Sequence, residues 1–106
     1  MTQKQVFKRD NVLVDIIREH IGSENAISTE QLSKILNEKG YSTKSSSIHI
    51  IVARLIKERY LPICSINSKG YYFPKNKKDI EIAISHLQSR ADELQSRVDF
   101  LKQFLF

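Results

Sequence analysis

Residues 42–73 read STKSSSIHIIVARLIKERYLPICSINSKGYYF, and two periodicities follow one another within them. Ile48, Ile51, Val52, Leu55 and Ile56 recur at i, i+3, i+4, i+7 and i+8, the apolar stripe of an α-helix. Residues 42–45 supply N-cap candidates ahead of it. Pro62 ends it around residues 58–60, because proline disfavours helical geometry in the residue before it and cannot itself sit in a helix interior. Residues 61–66 and 71–73 are then β-prone, and Asn67-Ser68-Lys69-Gly70 between them holds the glycine that a tight turn needs. Alternation places Tyr71 and Phe73 on one side of the second strand, expected to be the core side, and Tyr72 on the other. The stretch therefore predicts a helix running straight into a β-hairpin, closed by Pro74.

Two helices are expected upstream. Leu13, Ile16, Ile17 and Ile21 make a helical stripe over residues 10–21, with Gly22 as its stop. Ala26-Ile27 is a candidate for a very short strand. Ser28-Thr29-Glu30-Gln31 is a capping box, in which the Ser28 hydroxyl and the Gln31 side chain satisfy each other's free backbone amides. Leu32, Ile35 and Leu36 line the helix that follows, and Lys39-Gly40 ends it.

Downstream of Asn76-Lys77-Lys78 the pattern changes again. Ile80, Ile84, Leu87, Ala91, Leu94, Val98, Leu101 and Leu105 are spaced 4, 3, 4, 3, 4, 3, 4, a heptad repeat uninterrupted by Pro or Gly. With Ile84, Ala91, Val98 and Leu105 at position a and Ile80, Leu87, Leu94 and Leu101 at d, the residue types favour a parallel pair. Arg97 at g and Lys102 at the following e would repel in that arrangement. An antiparallel pair or a larger bundle therefore stays open, and Phe100, Phe104 and Phe106 widen the apolar face at its end. These eight positions are the expected oligomerisation surface, because a stripe this long exceeds what one small domain covers.

Helix, short strand, helix, tight turn, helix and hairpin resembles the winged helix-turn-helix of bacterial repressors, of the biotin-repressor and DeoR amino-terminal types. It is also similar to small phage proteins that add a helical tail. Residues 28–32, the ladder from Ile48 to Ile56, Leu61-Pro62-Ile63 and residues 69–73 carry the resemblance, which spans residues 10–74. It implies a mainly α fold with a small β-hairpin, a winged-helix domain over residues 1–78 and a coiled-coil helix over 79–106. It also implies DNA binding in a bacterial cytoplasm. These families often place a glycine where this chain has Tyr60, which leaves the build of that turn open.

Charge points the same way. The chain of 106 residues carries a net +5, with a pI near 9.4. Residues 31–78 hold ten lysines and arginines against Glu38 and Glu58, a net +8, whereas residues 79–106 hold three against five, a net −2. A basic module followed by a mildly acidic one separates a polyanion-binding part from a part with another task. If the third helix buries its isoleucine ladder, its outward face carries Thr43, Ser46, Ser47, Ile50, Ala53, Arg54 and Lys57, with His49 on the flank and no carboxylate. Small hydroxyls allow close approach to a groove, and the helix N-terminus suits phosphate. Ile50 can meet a thymine methyl, and Arg54 and Lys57 can reach bases or backbone. Lys44 and the hairpin's Lys69, with Asn67 and Ser68 beside it, complete the expected contacts to double-stranded DNA.

Catalysis is not expected. His20, His49 and His86 fall on three different elements, none at metal-ligand spacing with another His or with Cys64, and no glycine-rich phosphate loop is present. Cys64, the single cysteine, lies among apolar residues as a core group. No metal, cofactor, small-molecule ligand or membrane is expected as a partner, and no apolar run reaches membrane-spanning length. The leading reading is a sequence-specific DNA-binding regulator acting as a dimer or higher oligomer. A protein-docking module and an accessory factor in replication or recombination are the alternatives.

Overall fold

A computed structural model describes residues 1–66 and 69–105. Asn67, Ser68 and Phe106 lie outside them, and with them part of the expected turn and the last aromatic of the tail. The chain is mainly helical: α1 (Gln3–Arg18), a single 3-10 turn (Ser23–Asn25), α2 (Thr29–Glu38), α3 (Ser45–Arg59), an antiparallel hairpin of β1 (Cys64–Ile66) and β2 (Gly70–Tyr72), and α4 (Lys77–Lys102). Among the described residues no helix is long and apolar enough to cross a membrane.

The first helix starts seven residues before its expected position and stops at Arg18. Thr2 and Gln5 form a capping box there, the same device that Ser28 and Gln31 form on α2. Ile21 is consequently outside the helix and half exposed, paired with Phe73 in an isolated β-bridge. Ile27 forms the expected short strand contact, an antiparallel bridge to Tyr71 in which each amide donates to the other carbonyl at 2.8 Å.

The core is made by α1, α2 and α3, with Leu13, Ile17, Leu32, Leu36, Ile48 and Leu55 wholly buried. Close packing of this kind fixes the angle of α3 against α2. Their connection is held by side chains as well. Asn37 accepts from the Thr43 amide at 2.9 Å through Oδ1, and the Ser33 hydroxyl donates to the Thr43 carbonyl. At the far end of α3, Tyr60 takes the left-handed conformation (φ 53°, ψ 49°) that glycine usually supplies, with its side chain 94% exposed. That conformation costs an L-residue about 1–2 kcal/mol. Tyr60→Gly should therefore stabilise the fold by about 0.5–1 kcal/mol after the larger entropy of unfolded glycine is offset. A urea titration reads this as a higher midpoint; a lower one would mean the ring holds a contact that matters.

Both faces of the hairpin are covered, which corrects the expectation for its aromatics. Tyr71 and Phe73 pack against the main core as partly buried residues, but Tyr72 is the one wholly buried. It lies in a second cluster with Cys64 and Ala83, because the first two turns of α4 lie across that face. The Tyr72 hydroxyl donates to the Asp79 carbonyl at 3.1 Å, and burial pushes its pKa up to about 12. Burial also raises the Cys64 thiol. The buried Asp79 carboxylate accepts from the Lys75 amide at 3.0 Å, locking the turn that launches α4.

Candidate functional site

The isoleucine ladder decides which side of α3 meets solvent. Ile48, Ile51, Val52 and Leu55 are buried and Ile56 partly so. Ser46, His49, Ile50, Ala53 and Lys57 are exposed on the opposite side, Ser47 half-buried beside them. Ile50 is 69% exposed, a large apolar side chain in the middle of a polar row. Lys44 occupies the N-cap position, and no side chain caps α3. Ser47 donates its amide to the Lys44 carbonyl at 3.0 Å, and the amides before it are left uncapped by any side chain at the positive end of the helix dipole, next to an exposed lysine.

Two residues expected on this face stand elsewhere. Thr43 precedes the helix and is 6% exposed, its hydroxyl donating to the Tyr41 carbonyl at 3.0 Å. Its side chain belongs to the α2–α3 turn because the asparagine clamp draws its backbone inward. Arg54 is exposed in part but tied inward, donating to Asp10 of α1 at 2.8 Å and to Glu58 at 3.0 Å. The Asp10 side chain is 4% exposed and also holds Arg9, so Arg54 answers a buried carboxylate. The hydrogen bond to Asp10 raises the Arg54 pKa further. Glu58 also puts a carboxylate beside Arg54, at the margin of a face expected to carry none.

A cleft runs between α3 and the hairpin. His49, Ser65, Gly70 and Tyr71 line it together with Ser28, Glu30 of α2 and Arg90 of α4. Lys69 stands exposed beside Gly70 at the hairpin turn. Lys44, Ser46, Ser47, His49, Ile50 and Lys57 therefore share one helix, while Lys69 comes from the hairpin. Sequence reasoning missed Arg90, which it counted only among the three basic residues of the tail. Its place by the hairpin depends on α4 folding across Tyr72, and no local pattern announces that contact. Among the described residues no group of three His, Cys, Asp or Glu side chains converges as a metal site.

The tail presents a second surface. Ile80, Ile84, Leu87, Ala91, Leu94, Val98 and Leu101 are exposed along α4, whereas Leu105, expected on the same helix, is exposed beyond its end at Lys102. Gln88 donates to Asp92 at 2.9 Å and Gln95 to Asp99 at 3.0 Å, each one helical turn on, along one edge of that seam. Phe100 and Phe104 stack edge-on at 5.3 Å, both 57% exposed.

No family model matches this chain, and no curated protein or solved structure matches it.

Proposed function

We propose that the protein is a sequence-specific double-stranded DNA-binding protein of the winged-helix type, a regulator working in a bacterial or phage-infected cytoplasm as a homodimer joined by α4. The observation that supports this best is the solvent face of α3. Uncapped amides and Lys44 stand at its start, small hydroxyls and Ile50 in its first turns, and Lys57 further on. Such a row suits a major groove: close approach, one apolar contact for a thymine methyl, and cations for phosphate at either end. The hairpin stands as the wing, with Lys69 beside the same cleft. Arg54 serves the fold in this reading, since its guanidinium is committed to Asp10. The docking-module alternative draws on the exposed Ile50 and on the aromatic pair of the tail; it predicts no affinity for duplexes.

Duplex binding should strengthen steeply as salt falls, with log K changing by roughly −0.9 per phosphate contact for each log unit of salt. Lys69→Ala should lower affinity for all duplexes alike and reduce that slope by about one contact. Ile50→Ala should weaken a site selected from random duplexes by roughly 1–3 kcal/mol and leave unselected DNA unaffected. Fluorescence anisotropy at several salt concentrations measures all three. A flat salt response, or no binding at low salt, would refute the DNA reading.

A further inference from the structure

The geometry points to an antiparallel pairing of α4 with α4 of a second copy, in one register, with the two heads at opposite ends. This rests on the proposal that the tail pairs with itself, and adds the direction and alignment of the pair.

Three observations select it. First, the apolar seam closes on itself when reversed. Setting Ala91 against the partner's Leu94 places Leu87 against the partner's Val98 and Ile84 against the partner's Leu101, a against d throughout. Ile80 and Ile84 are exposed although the hairpin covers Ala83, so the head leaves the seam open to its first turn.

Second, the flanking charges fit this direction better. In that register the e positions face each other. Glu81 meets the partner's Lys102 at both ends of the pair, and Gln88 meets the partner's Gln95. Among the described residues Glu81 has one ion-pair partner, Lys77 of its own helix, at 3.9 Å. The g edge brings Arg90 near the partner's Arg97, while a parallel pair would bring Arg97 near the partner's Lys102. Each direction has one repulsive contact type, but the antiparallel one alone adds attraction.

Third, the aromatic pair finds cover. The head sits on the g side of α4's first turns, where Ala83 is buried against the hairpin. Phe104, in the turn just after α4, continues the g spacing of the repeat, and Phe100 packs edge-on against it. Reversal carries these rings to the partner's Ala83, beside the partner's head. Parallel pairing would leave them in water at the end far from both heads.

The two-fold axis then crosses the coil between residues 92 and 93, and the two starts of α4 stand about 46 Å apart at 1.5 Å per residue. A nitroxide on Ser85→Cys, in a Cys64→Ala background, measures the direction without DNA. Antiparallel pairing offsets the two labels by about 22 Å along the axis, whereas parallel pairing offsets them by none. Electron–electron resonance should give the long distance. Lys102→Glu should weaken the dimer roughly five-fold, and adding Glu81→Lys should restore it. A dimer with only the short distance overturns the direction and leaves self-pairing standing. A monomer by sedimentation at tens of micromolar overturns both, and a tetramer overturns the two-helix pairing.

Discussion

Gly70→Ala is expected to cost about 3–5 kcal/mol of stability, a large share of the roughly 5–15 kcal/mol available to a domain of this size. Gly70 has φ 115°, and a Cβ there would lie 1.8 Å from the Ile27 carbonyl oxygen, 2.4 Å from its carbon and 2.8 Å from the Ser28 Cα. All three are backbone atoms in a packed segment: Ile27 is 2% exposed and Ser28 caps α2. Relief requires β2 to move off, which breaks the two 2.8 Å hydrogen bonds between Ile27 and Tyr71. Each is worth about 1 kcal/mol net, more if a buried partner is left unpaired. Strain at a positive φ adds about 1–3 kcal/mol. Gly40→Ala is the matched control, with φ 89° and no atom within 4 Å of the added Cβ; it should cost only the conformational part, about 1 kcal/mol. Paired urea titrations with unchanged slopes would measure the difference. Equal losses for the two variants would show that the hairpin does not lie against Ile27.

Gly70 illustrates how far the sequence carries. Its presence in a tight turn is legible from the β-prone runs around it, but its contact with Ile27 is not, because that contact is made across 43 residues of chain. The mainly helical fold, the α2 capping box, the α3 ladder and the long last helix all follow from local periodicity. The start of α1 was equally local, since Thr2 and Gln5 have the capping-box spacing; it is obscured because Phe7 stays 60% exposed and the buried stripe begins only at Asp10. Ile21 shows the opposite failure. Its spacing continues the stripe of α1, yet the chain has already left the helix, and the isoleucine serves a bridge to Phe73 instead. At the candidate site, the period of α3 places Ser46, Ile50 and Lys57 on the outer face, whereas the fate of Arg54 depends on Asp10, 44 residues away on another helix. Charge partners and covered faces are set by tertiary packing, and periodicity is silent about both.

Leu94→Asp is expected to convert the protein to a monomer and to reduce its affinity for a two-site duplex about a hundredfold. Leu94 lies near the middle of the apolar seam, 55% exposed in the single chain and fourteen residues beyond the start of the repeat at Ile80. Pairing the tails would bury two aspartates per dimer, at a cost of several kcal/mol, which is ample to dissociate a short coil. The head should survive, because the contacts that fasten α4 to the hairpin are made by Asp79 and Ala83, more than two turns earlier. Thermal melting of the head should accordingly stay close to that of the parent, while sedimentation reports half the mass. Two linked heads gain affinity through effective concentration without any new contact, typically in the millimolar range for short connections. Losing the link therefore affects only the full site: half-site affinity should hardly change, and full-site affinity should fall to meet it. If Leu94→Asp is monomeric yet binds the full site as tightly as the parent, the tail does not serve DNA recognition, and the protein-docking reading takes precedence. If it remains dimeric, the two copies meet through a surface other than the heptad seam.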